Sequence, residues 1–132
     1  MVAKILAWES SERSFYDKAV LVADNPDHGG NFVAHAESLS ENVLIDGRVE
    51  KIYLSELGAE STRNRIQQSL DEGASLVSYI GHGGIHLWAD ENILNTSDIP
   101  DLALQSEQSL LLTMNCLNGY FHFPFFDSMA EG

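Results

Sequence analysis

The sequence has one cysteine, three prolines and seven basic residues among its 132 positions. A single cysteine excludes an internal disulfide, so the fold is held by packing in any redox compartment. Seven basic residues against twenty acidic ones leave a formal charge of −13 at neutral pH. Such a field repels phosphate backbones and anionic lipid head groups, so neither nucleic acid nor a membrane surface is an expected partner. Long apolar stretches are missing too. The longest runs, such as Leu110–Met114, fall far short of the roughly 20 residues of a membrane-spanning helix. The start, Met1-Val2-Ala3-Lys4-Ile5, has no basic start, apolar stretch and small-residue cleavage site, so no secretory leader is read there. There is no internal repeat, low-complexity tract or long charge block of the kind that predicts disorder.

What is present is an apolar share of 44%, enough for one ordinary core and one domain. Four short segments rich in β-branched or bulky apolar residues read as strands: Ala19–Ala23, 49–54, Leu76–Ile80 and Leu110–Met114. Three are nearly continuous in apolarity, which predicts burial on both faces of a parallel sheet. Between them Phe32, Ala36, Leu39 and Val43 form one helical stripe, with Asn31 placed to cap it. Ala59–Asp71 carries Thr62, Ile66 and Leu70 on one side, and Gly73 follows as a stop. Residues 2–10 and 99–104 read as further helices. Helices alternating with strands predict right-handed crossovers and an open α/β sheet, whose functional edge is the carboxyl end of its strands.

Reactive side chains collect at that edge: Asp24 after the first strand, Ser55 and Glu56 after the second, His82 after the third and Cys116 after the fourth. Gly81-His82-Gly83-Gly84 considered alone is a glycine turn with a histidine on it, and a lone cysteine is often a buried apolar side chain. If the two strands are neighbours, the side chains emerge side by side at one edge, as a nucleophile and a proton carrier. The five histidines show no spacing suited to zinc. Asp90, Glu91, Asp98 and Asp101 fit a solvated face better than a metal loop. No metal or cofactor is expected. The run from Phe121 to Phe126 is expected to be mostly core.

The stretch 74–84 with Trp88, followed by Met114-Asn115-Cys116-Leu117-Asn118-Gly119-Tyr120-Phe121, resembles the gingipain family of cysteine peptidases, distant relatives of caspases. The resemblance extends upstream through 4–9, 22–25 and 31–32 and downstream to 125–131, and so covers nearly the whole chain. It implies a three-layer caspase-like fold, a mostly parallel sheet flanked by helices. It further implies that residues 1–132 form a single peptidase domain lacking N- and C-terminal parts of the full one.

By that resemblance Cys116 attacks the scissile carbonyl, His82 protonates the leaving amine, and the amides of Gly83 and Cys116 form the oxyanion hole. Asp24 is the nearest match to an acid that orients the histidine, although Asp24-Asn25-Pro26-Asp27 also reads as an ordinary turn. Trp88 matches a loop that flanks the substrate groove, or else anchors that loop. Asn31 stands where members with basic-residue specificity carry an acid, so arginine or lysine preference is not expected. The implied activity is a cysteine endopeptidase acting through a thioester, with a peptide or protein substrate and an extracellular or cell-surface location. The alternatives are a transpeptidase with the same dyad and a non-catalytic caspase-like module of a larger surface protein. Oligomeric state is not legible.

Overall fold

A computed structural model describes residues 2–10, 12, 17–44, 48–102 and 108–131. In chain order the elements are α1 (Val2–Glu9), β1 (Ala19–Ala23), α2 (Phe32–Asn42), β2 (Val49–Tyr53), α3 (Leu54–Leu57), α4 (Ala59–Asp71), β3 (Leu76–Ile80), β4 (Leu87–Trp88), β5 (Leu94–Asn95), α5 (Ile99–Leu102) and β6 (Leu110–Met114), with a 3-10 turn at Met129–Glu131. The expected helix over 99–104 is seen to Leu102, and its last two positions lie outside the described residues.

The sheet runs β2-β1-β3-β6 with every neighbouring pair parallel, and β4 and β5 form a separate small antiparallel hairpin. β1 is central and buried at all five positions. Its alternate side chains feed two cores: Val20 and Val22 meet Ile66 and Leu70 of α4 on one face, and Leu21 and Ala23 meet Ala36 of α2 on the other. Each buried valine, leucine or isoleucine among them contributes about 1.5–3 kcal/mol. Helix, sheet and helix make the expected three layers.

The helices start and stop where local chemistry requires it. Asn31 caps α2, its side chain accepting from the Ala34 amide at 3.0 Å. Gly58 at φ 74° and Gly73 at φ 79° bracket α4, conformations that L side chains rarely adopt.

β6 departs from expectation. It lies at the edge of the sheet, and all five of its residues are exposed instead of buried on both faces. α2 packs on β1 and β3 and α4 packs toward β2, so the main helix packing falls on the strands away from β6.

Candidate active site

The register of the sheet sets the site. Ile80 of β3 pairs with Met114 of β6, and the ladder runs one step further as the Gly81 amide donates to the Met114 carbonyl at 3.3 Å. His82 and Cys116 each stand two residues beyond that pair, on strands that neighbour each other at a spacing of about 4.8 Å. The loops that carry them touch: a Cβ built on Gly83 would lie 2.9 Å from the Cys116 carbonyl oxygen and would run into the Asn115 side chain. Cys116 is an exposed free thiol.

The turn after Cys116 is tight. The Asn118 amide donates to the Cys116 carbonyl at 2.9 Å around Leu117 at φ 64°, a γ-turn of the rarer, positive-φ kind. Asn118, buried, fastens this turn to the histidine loop: its amide nitrogen donates to the Gly84 carbonyl at 2.5 Å and its oxygen accepts from Asn115 at 2.6 Å. The Ala130 amide donates to Asn118 and the Met129 amide to Ile85, closing the chain over the same loop.

His82 has its own support. Its Nε2 lies 2.9 Å from Asp27 Oδ2, and the edge of Phe32 meets its ring at 5.2 Å. Asp27 is held by a local turn in which its other oxygen accepts the Gly29 amide at 2.7 Å. The Asp27 hydrogen bond, with the charges of Asp27, Asp24 and Asp90, holds the imidazole above its usual value of 6.5. The Gly29 amide, followed by His82, lowers the Asp27 carboxyl. Both side chains are about half exposed, so solvent and salt screen the pair.

Asp24, the acid expected to orient the imidazole, sits elsewhere. It is 3% exposed, and its carboxylate accepts the backbone amides of His82 at 2.9 Å and Asn25 at 2.7 Å. It fixes the loop, while Asp27 three residues on holds the ring. The signal for Asp27 was the Asp27-His28-Gly29-Gly30 turn itself, whose glycines let the chain pass close under His82.

Two further expectations are corrected. Trp88 does not flank a substrate groove: it is fully buried and stacks on Tyr79 with ring centroids 4.5 Å apart, supporting the loop from below. The aromatic run is not core: Phe121, Phe125 and Phe126 are exposed, Phe125 by 81%. Asn31 is spent on the α2 cap. Among the four acidic residues read as a solvated face, Asp98 is buried and paired with Arg63, while Asp90, Glu91 and Asp101 are exposed. Among the described residues no three His, Cys, Asp or Glu side chains are grouped to hold a metal, and no helix is long and apolar enough to cross a membrane.

Gly83 opposes Trp88 in an isolated antiparallel bridge. The flanking bonds run from Ala89 N to His82 O and from Gly84 N to Leu87 O, each 3.0 Å, which makes Gly83 a non-hydrogen-bonded position and leaves its N–H outside the ladder. An open groove of about 370 Å³ on the α2 face, lined in part by His35, Leu39, Val43, Ile80 and Met114, contains neither His82 nor Cys116.

The model of peptidase family C25 matches residues 1–132. The chain belongs to peptidase family C25. The family C25 chain shares its fold with the crystal structure of the Arg-specific cysteine proteinase gingipain R (RgpB), at a TM-score of 0.70 and 22% identity over 91% of this chain. It shares it equally with the complex of Porphyromonas gingivalis RgpB pro- and mature domains, at 0.70 and 23% over 91%. It spans 28% and 29% of the length of those chains. Among curated proteins, none matches. The caspase-like α/β fold and membership of a cysteine peptidase family thus stand on independent observations.

Proposed function

We propose that this chain carries the catalytic dyad of a cysteine endopeptidase, with Cys116 as nucleophile and His82 as proton carrier, acting outside the cell on extended segments of protein substrates. The observation that supports it most is the register that sets both side chains two residues past one paired position on adjacent parallel strands.

The Cys116 thiol passes its proton to His82 and its sulfur attacks the scissile carbonyl carbon, while the amides of Gly83 and Cys116 take up the charge that develops on the carbonyl oxygen. Collapse expels the amine, which takes a proton from His82 and leaves a thioester on Cys116. Water then attacks the thioester, its proton passing to His82, and the acid leaves as the thiol is restored. An amine in place of water gives transpeptidation.

The position of Asp27 supports different duties for the two ring nitrogens. With Nε2 held by the carboxylate, Nδ1 is the nitrogen that exchanges the proton with the substrate amine. Raising the imidazole above 6.5 keeps it cationic further toward neutrality, which suits both a proton donor and a counter-charge for the thiolate.

In the protein that carries this chain, Cys116→Ala is expected to lower peptide hydrolysis by roughly a thousandfold or more. Unchanged cleavage would remove Cys116 from the mechanism and favour the non-catalytic module, for which the uncovered apolar face of β6 is the supporting observation.

A further inference from the structure

Three buried groups beneath the candidate site have no part in the chemistry above: Tyr79 on β3, Trp88 on β4 and the carboxylate of Asp24 at the end of β1. Two of them, Asp24 and Tyr79, meet the two ends of one residue, and Trp88 backs Tyr79. The Asp24 Oδ2 accepts the His82 amide at 2.9 Å, and the Tyr79 hydroxyl donates to the His82 carbonyl at 2.6 Å. That carbonyl also accepts the Ala89 amide at 3.0 Å, the bond that closes the loop 82–89. Trp88, from the same loop, lies flat against the Tyr79 ring with an interplanar angle of 8°.

We infer that Tyr79 is a positioning residue that acts through the backbone of His82: with Asp24 it clamps the His82 peptide at both ends, and so aims the imidazole at Asp27 and the thiol loop. The inference rests on the dyad proposed above but concerns a residue that does not touch substrate.

Several observations support a clamp over a general core role. The hydroxyl could have been left out of an apolar core, yet it is aimed at a main-chain oxygen three residues ahead, just past the end of β3. Burial, reinforced by the nearby charge of Asp24, pushes the hydroxyl well above its usual range and keeps its proton in place as a donor. Gly81 is part of the same device. A Cβ there would lie 2.6 Å from the Tyr79 hydroxyl oxygen and would overlap Asp24, so only glycine lets the chain pass between the two jaws. The imidazole itself is half exposed and touches little besides Asp27 and Phe32, so its direction depends on its backbone.

The test compares the titration of the His82 imidazole by NMR in the native chain, in Tyr79→Phe and in Asp27→Asn. Asp27→Asn sets the scale, by returning His82 toward its ordinary value. Tyr79→Phe removes one oxygen and leaves the Ala89 bond, so the fold is expected to remain with a melting temperature within a few degrees of native. It is expected to move the His82 titration at least half as far as Asp27→Asn does, and to slow alkylation of Cys116 at neutral pH severalfold. A His82 titration in Tyr79→Phe that matches the native one while Asp27→Asn shifts it would overturn the clamp. If Asp27→Asn shifts nothing, there is no aimed ring and the clamp fails with it. Should Tyr79→Phe unfold, Asp24→Asn replaces it, and retention of the native amide exchange rate at His82 would overturn the inference. Slow Cys116 alkylation in the native chain with an intact His82 shift would instead refute the dyad and leave the clamp standing.

Discussion

Position 83 has no room for a side chain: a Cβ there would press on the Cys116 carbonyl and the Asn115 side chain, both in the turn that carries the proposed nucleophile. Gly83→Ala is therefore expected to cost about 1–3 kcal/mol of stability by overpacking and, by shifting the nucleophile turn, to slow peptide hydrolysis by about a hundredfold. Denaturation and turnover measured together check this, and a variant with native activity would show that the two loops move apart freely. At this scale the sequence indicates where His82 and Cys116 sit, each just past the end of an apolar strand, and their chemistry is the proposal above. The acid was harder to place. Asp24 and Asp27 lie in one turn of the sequence, and only the path of that turn decides which carboxylate reaches the ring and which holds the backbone. Trp88 reads two ways for a related reason. An aromatic in a loop reads equally as a wall or an anchor, and its stacking on Tyr79 decides for the anchor.

Among the elements, β1, β3, β6 and α4 have the bounds that apolar runs, helical periodicity and flanking glycines indicate. α3 and the β4/β5 hairpin were not read, since four-residue and two-residue elements are too short to show a period. Their effect on the site is nonetheless large. The hairpin brings Trp88 under Tyr79, and the Gly84 and Leu87 carbonyls are tied to Asn118, so a short, unreadable element joins the loops that carry His82 and Cys116. The burial of β6 was misread because an apolar run reports what a strand is able to bury, while exposure is decided by its place in the strand order. The aromatic run after Cys116 follows the same logic. Its rings pack on one another, as Phe123 does on Phe126 at 4.7 Å, without being covered.

At the scale of the whole molecule the chain spans less than a third of the solved chains it resembles, and its sheet carries one well-packed side and one open edge. Stability is therefore expected to be unevenly distributed. Leu112→Thr, on the open strand, is expected to change the unfolding free energy by within about 0.5 kcal/mol, whereas Ile66→Ala, in the core under β1, is expected to cost about 2–5 kcal/mol. Urea denaturation of the two variants checks the contrast. A large loss for Leu112→Thr would mean that β6 is covered in solution by another copy or partner. The exposed carboxylates of Asp27 and Asp90 add a salt dependence, because both bear on one half-exposed imidazole.

The dyad is tested most directly by the rate at which iodoacetamide alkylates Cys116 as a function of pH, in the native chain and in His82→Ala. Because Asp27 raises His82 above 6.5, the imidazolium is present through the acidic range and into neutrality, so the native thiol is expected to react rapidly there and to lose that advantage as the pH rises past the titration of His82. The His82→Ala variant is expected to react slowly at neutral pH and to approach the native rate only in alkali. Identical profiles for the two proteins would contradict the account, since they would show that His82 and Cys116 do not form a pair.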